Sequence, residues 1–193
     1  MREKPNTRDH IVEIATRLFF VQGYHATGLN QIIQESQAPK GSLYYYFPNG
    51  KEELAQVCIE QQRKHTAEIL RSNFTDSNDF VTGAQAFFLG LVQEIERQQF
   101  QGVPPSCFWN AVETSCISNR LREACQNTFD MWKSVMVERL LKEGKEEERA
   151  ESIAMGVFSL LEGSFVLALT YRDVNPLINA SNLIPLLLRS ESN

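Results

Sequence analysis

Lys40, Ser42, Tyr44, Tyr45, Tyr46 and Lys51 crowd into the stretch APKGSLYYYFPNGKEEL, residues 38–54, with Pro39 and Gly41 among them. These side chains suit non-covalent chemistry on a polyanion. A lysine is a mobile positive charge for phosphate. A tyrosine, protonated at neutral pH, donates to phosphate oxygens while its ring packs on sugar or on a thymine methyl. Glycine lets a backbone approach a groove closely. From Ser36 to Lys51 there are two lysines and no acid. Nothing comparable points to bond-making chemistry: there is no Gly-rich phosphate loop opening after a strand, no H-E-x-x-H and no G-x-S-x-G, so no enzyme activity is expected. A second set of capable groups lies later, where Asn110, Glu113 and Glu162 stand among apolar neighbours. Glu113 follows Trp109 by four positions and shares its helix face. A buried carboxylate there would need a partner: a cationic or hydrogen-bonding ligand, or an internal arginine such as Arg120 or Arg122. The same residue could simply face water.

Helices must hold these groups. Thr7 is placed to cap a first helix whose apolar residues Ile11, Ile14, Ala15, Leu18 and Phe19 follow 3, 4 spacing, with Gly23 as its stop. Thr27 is placed to cap a second helix, with Leu29, Ile32 and Ile33 inward and an end near Ser36. Gln37 and Ala38 make a tight connection. Pro39 suits the first turn of a third helix, where its missing N–H has no intrahelical partner to lose. On that helix, at about 100° per residue, Leu43 and Phe47 mark one buried side. Tyr45 then points away, Gly41 and Ser42 share its arc, and Tyr44 and Tyr46 flank the core. Thr27 and Lys51, on the neighbouring helices, could clamp the backbone on either side. A helix, a tight turn and a second helix presented outward is the helix-turn-helix geometry.

Pro48, Asn49 and Gly50 break the chain before a long fourth helix from Lys51. Loop signals at 73–79 and 102–105, a short helix at 106–117, a longer one over about 119–143 closed by Gly144, one from the charged run 145–151 to about Tyr171, and a last one after RDVNP complete an all-α reading. The stretch 154–171 is apolar on nearly every side. Glu162 at its middle and its marginal length argue against a membrane span. A water-soluble helix of this kind is buried all round, one face on its own core and the other on a second copy. The tail helix, with Leu177, Ile178, Leu183, Ile184, Leu186 and Leu187, offers more of the same surface. An isologous four-helix dimer interface is expected, with Val157, Phe158, Leu161, Phe165, Leu183 and Leu187 as its candidates. A central helix of a monomer is the other reading.

The 193 residues carry a net charge of −5, which argues against a chain that coats nucleic acid along its whole surface. The charge is uneven. Residues 1–64 hold 8 Lys/Arg and 7 Asp/Glu, whereas residues 65–193 hold 11 and 17. Nucleic acid, if bound, is bound at the front. The four cysteines, Cys58, Cys107, Cys116 and Cys125, form no C-x-x-C pair, and His10, His25 and His65 are scattered. Structural zinc uses tighter ligand pairs, so no metal or other cofactor is expected, and reduced thiols in a cytoplasmic protein are the reading. The opening MREKPNTRDH lacks the apolar stretch of a secretory leader.

Residues about 7–67 resemble the DNA-binding domain of TetR-type transcriptional regulators. The match runs through I-x-x-x-A-x-x-L-F in 11–19 and G-Y-x-A-T-x-L in 23–29. It continues from Ile32 through K-G-S-L-Y-Y-Y-F to Phe47, then K-E-E-L in 51–54. The P-K-G-S-L-Y opening and the extra residue in F-P-N-G-K-E-E-L look most like the LmrA/YxaF-like branch. The resemblance implies an N-terminal three-helix DNA-binding domain, residues 1–50, linked by helix four to a ligand-binding and dimerisation domain over 68–193. It implies a homodimeric repressor on a palindromic double-stranded operator, released by a small aromatic or drug-like effector. It carries DNA contacts to Thr27, Pro39, Lys40, Gly41, Ser42, Tyr44, Tyr45, Tyr46 and Lys51.

Nine of the twelve phenylalanines and both tryptophans follow residue 65. Phe87, Phe88, Trp109, Phe129 and Trp132, with Asn110, Glu113 and Glu162, are the candidates for an effector pocket between helices, although aromatics at helical spacing usually fill core. A helical small-molecule carrier or protein-interaction module without DNA function is the competing reading.

Overall fold

The computed structural model describes residues 6–100 and 118–189. Among them the chain forms helices and no strands: α1 (Thr7–Ala26), α2 (Leu29–Ser36), α3 (Lys40–Tyr46), α4 (Lys51–Thr75), α5 (Phe80–Arg97), α6 (Asn119–Lys142), α7 (Glu147–Tyr171) and α8 (Asn175–Leu187). The short helix expected at 106–117 lies outside the described residues, as do Trp109, Asn110, Glu113, Cys107 and Cys116. The chain divides into two compact units. One comprises residues 1–64 with 105–128, the other residues 65–104 with 129–193.

In the first unit, α1 packs on both α2 and α3. Its apolar 3, 4 pattern puts Ile11, Val12, Ala15, Leu18 and Phe19 inside, beside Ile32 of α2 and Leu43 and Phe47 of the third helix and its cap. Ile14, Leu29 and Ile33 are only half-buried. Leu54, Ala55, Cys58 and Ile59 are the buried face of the first turns of α4, and the Cys58 thiol donates to the carbonyl of Val12 at 3.6 Å. That burial pushes the thiol up to about 12, so Cys58 is an inert small hydrophobe rather than a nucleophile. A polar brace covers the outside of α1 and α2. Arg17 pairs with Glu35, Gln31 donates to Glu35 at 2.9 Å, and Gln22 donates to Gln31 at 2.7 Å. Hydrogen bonds from Gln31 and from Arg17 hold the Glu35 carboxyl below its usual range.

Three expectations about helix ends are corrected. The first cap is Asn6, whose side chain accepts from the Arg8 N–H, and not Thr7. Gly23, at φ 86°, kinks α1 without ending it, and the helix resumes to Ala26. Thr27 does not cap α2. That position belongs to Gly28, and the Thr27 hydroxyl turns back to donate to the Gly23 carbonyl at 2.7 Å. Among the described residues the remaining breaks lie close to the loop signals, with α4 running on to Thr75 inside the expected 73–79 loop. Gly50, at φ 74°, closes the turn before α4 in a conformation that only glycine adopts without strain. The Asn49 N–H donates to Glu53 at 2.9 Å, so the third residue of α4 reaches back to satisfy an orphan donor.

In the second unit, α8 packs against α5 and α7, and the Gln85 amide donates to the carbonyl of Ser181 at 3.1 Å. Phe74 stacks on Phe80 at 5.3 Å, and Gly83 lies where a Cβ would meet the Phe74 ring at 2.4 Å. Asp79 caps α5, accepting from Thr82 at 2.7 Å. Helix α7 is long and apolar enough to pass for a membrane span by length and composition. Its buried arc holds Ile153, Val157, Phe158, Leu161, Phe165 and Ala168.

Most of the dimer candidates lie against the chain itself. Val157, Phe158, Leu161 and Phe165 face the chain's own core, and Leu187 has one methyl 3.4 Å from the position of a Cβ on Gly156. Only Leu183 among the six is exposed. Large side chains were drawn inward because they fill volume that smaller ones cannot. The exposed arc of α7 is instead Met155, Ser159, Gly163, Leu167 and Tyr171, continued on α8 by Leu183 and Leu186.

Candidate functional site

The site begins with two anchors. Leu43 and Phe47 are completely buried, so the seven-residue α3 has one rotational setting. Its start is held by the turn 37–39. Gln37 takes the left-handed conformation at the end of α2, and Ala38 is buried and donates to the Ser36 hydroxyl at 3.4 Å. Pro39 stands at the cap of α3.

Everything opposite the anchors is presented outward. Tyr45 is 80% exposed, and Tyr44, Pro39, Lys40 and Gly41 are exposed with it. Ser42 and Tyr46 are half-buried at the margins. The Tyr45 and Tyr46 rings meet edge to face at 5.1 Å, which limits where each phenol can point. Lys51, at the start of α4, lies 4.4 Å above the Tyr24 ring and donates to the His25 carbonyl at 3.4 Å. Tyr24 in turn meets His25 edge to face at 5.5 Å. The kinked end of α1 therefore sets the position of a cation at the start of α4. Sequence reasoning named Lys51 but not Tyr24 or His25. The only signal was the aromatic pair immediately after Gly23.

The structure brings together Pro39, Lys40, Gly41, Ser42, Tyr44, Tyr45 and Tyr46 on one helix, with Lys51 in the same unit. Thr27 does not join them: it is 0% exposed, its hydroxyl already committed. Gly41 is informative in a different way. A Cβ there would meet nothing within 4 Å, and its backbone is ordinary helix. The fold gains nothing from a glycine, which costs a helix interior about 0.5–1 kcal/mol relative to alanine. Gly41→Ala is expected to raise stability in urea unfolding by about that much while weakening DNA binding. Equal DNA affinity would remove the close-approach role.

In the second unit the candidate effector residues are of two kinds. Phe87 and Phe88 are buried core. Phe129 and Trp132 of α6 gather on Phe158 of α7, with Phe129–Phe158 at 5.2 Å, Phe129–Trp132 at 6.2 Å and Trp132–Phe158 at 6.4 Å between ring centres. Glu162 is one turn beyond Phe158. Its Oε2 is sealed from solvent without a hydrogen-bond partner, and burial raises its carboxyl to about 7. Among the described residues no group of three or more His, Cys, Asp or Glu could hold a metal ion.

Comparison with known proteins places this geometry. Residues 11–58 match the family described as bacterial regulatory proteins, tetR family. Residues 81–183 match the transcriptional regulator LmrA/YxaF-like, C-terminal domain. The chain is 38% identical over 192 residues to the HTH-type transcriptional regulator YxaF of Bacillus subtilis (strain 168), covering 99% of this chain and 100% of the relative. It is 40% identical over 185 residues to the HTH-type transcriptional regulator LmrA of the same strain, covering 95% and 97%. The chain belongs to the TetR family, in its LmrA/YxaF-like branch. Among solved structures, a TetR transcriptional regulator from Legionella pneumophila superposes with a TM-score of 0.83 at 22% identity over 98% of this chain and 100% of that one, a likeness of fold. As a TetR-family protein the chain is a DNA-binding transcriptional regulator and not an enzyme, and α2 and α3 are its helix-turn-helix.

Proposed function

We propose that this TetR-family regulator is a cytoplasmic homodimeric repressor that binds a palindromic operator and is released by a small aromatic or drug-like effector. The observation that carries the reading is the outward edge of α3, a glycine and exposed tyrosines fixed opposite two completely buried anchors. Pro39, Lys40, Gly41, Ser42, Tyr44, Tyr45 and Tyr46 contact the duplex, and Lys51 contacts its backbone. Two such helices related by a two-fold axis read two half-sites. Fluorescence anisotropy with duplex from the chain's own upstream region, titrated across salt, tests this. A dimer neutralising about six phosphates gives a log–log slope of about −5. A flat response would remove the assigned contacts.

The second copy docks on the exposed arc of α7 and α8. Met155, Leu167, Tyr171, Leu183 and Leu186 supply apolar area, and Gly163, with nothing near its missing Cβ, permits close approach of backbones. Leu167→Glu is expected to convert a dimer to a monomer in analytical ultracentrifugation and to lose operator binding with it. An unchanged sedimentation coefficient would reject this face. Release then needs only differential affinity. An effector that prefers the state with wrongly spaced recognition helices depletes the binding state, and DNA weakens effector binding by the same factor. Helix α4, whose residues belong to both units, is the lever.

A further inference from the structure

We propose that Glu162 is the recognition carboxylate of the effector site and that the effector is a lipophilic organic cation, its positive centre on Oε2 and its apolar body against Phe129, Trp132 and Phe158. The proposal rests on the effector-responsive reading above and adds the charge that the effector carries.

The placement comes first. Phe158, Glu162 and Phe165 fall on one side of α7, at spacings of four and three residues, and helical side chains lean towards the N-terminal end of their helix. The Glu162 carboxyl therefore lies over the turn of Phe158, whose ring meets both Phe129 and Trp132. Aromatic faces attract cations as well as apolar groups. An enclosed Oε2 without a donor is an unmet demand, because a buried carboxylate is stable only when something neutralises or hydrogen-bonds it.

Three cations of the same unit have partners of their own. Lys133 of α6 pairs with Glu151 at 2.8 Å. Arg139 pairs with Glu143 at 2.5 Å and donates to the carbonyls of Phe74 and Ser77. Arg149 donates to the carbonyls of Leu187 and Arg189 at 2.7 and 2.9 Å. Burial is what raises the Glu162 carboxyl. An anionic ligand would be repelled here, and a neutral one would gain no more than a hydrogen bond. A cation gains the whole of the missing charge partner.

Tetraphenylphosphonium and tetraphenylborate, ions of nearly the same size and opposite charge, separate these cases when titrated calorimetrically into the full-length chain. The phosphonium is expected to bind at least tenfold more tightly than the borate. Glu162→Gln keeps the shape and removes the charge. It is expected to weaken the phosphonium at least tenfold while leaving the borate unchanged or tighter. Phe158→Leu is expected to weaken both ions. Equal affinities of the two ions for wild type, or phosphonium binding indifferent to Glu162→Gln, overturns the proposal. Adding each ion to the chain on its upstream duplex keeps the two levels apart. Release of DNA that is indifferent to Glu162→Gln sinks the cation assignment and leaves effector control standing. Phosphonium binding through Glu162 without any change in DNA affinity overturns the site's regulatory role.

Discussion

Tyr45→Ala is expected to reduce operator affinity by about thirtyfold or more while leaving the fold untouched. The size follows from symmetry. A side chain that contacts DNA contributes about 1–3 kcal/mol of binding, and in a homodimer each substitution is made twice, so about 2–6 kcal/mol is at stake. That is roughly thirtyfold to twenty-thousandfold in Kd. The stability side follows from exposure. At 80% exposed, Tyr45 packs on little besides the edge of Tyr46, and its truncation should move unfolding by no more than about 0.5 kcal/mol. Tyr45→Phe divides the effect, keeping the ring and deleting the phenolic donor. Leu43→Ala is the contrasting control. It removes a fully buried anchor, should cost about 2–5 kcal/mol of stability, and loses DNA binding for the trivial reason that α3 is no longer held. Anisotropy titrations beside urea melts distinguish the two kinds of loss. A Tyr45→Ala protein that binds like wild type would take the recognition edge off α3.

The same helix shows why this part of the molecule was legible. Two large apolar residues four positions apart on a seven-residue helix leave one possible buried side, so the outward arc follows by subtraction. Caps were less legible because several residues near a boundary can serve. Asn6 and Thr7 are adjacent, as are Thr27 and Gly28, and which one caps depends on backbone angles that composition does not state. Helix α7 was least legible. An amphipathic helix announces its phase, but one that is apolar all round has none to announce. Size became the guide, and it pointed at Phe158 and Phe165 when the exposed arc holds Met155, Gly163 and Leu167. The aromatic cluster was named in part, since Phe129 and Trp132 are three apart on one helix. Their meeting with Phe158 is a tertiary fact that no spacing within α6 encodes.

Glu162→Gln is expected to stabilise the protein at pH 8 and to do little at pH 5. Burial raises the folded-state carboxyl from 4.5 to about 7, so between those values the unfolded chain has released its proton while the folded chain still holds it. Stability therefore falls as pH rises through this window and levels off above about 7. At about 1.4 kcal/mol per pH unit, the wild type gives up as much as about 3 kcal/mol. The glutamine variant, with nothing to ionise, gives up none of it. Urea unfolding at pH 5 and pH 8, at one fixed protein concentration because a dimer's stability depends on it, measures the gap. A gap that does not widen with pH would mean that the carboxylate is already neutralised in the folded chain. A gap that widens, and that closes again when an organic cation is added to wild type, ties the lost stability to binding. Glutamate at this position would then be an instance of stability given up for function, because the residue that folds best there cannot hold the charge that the ligand needs.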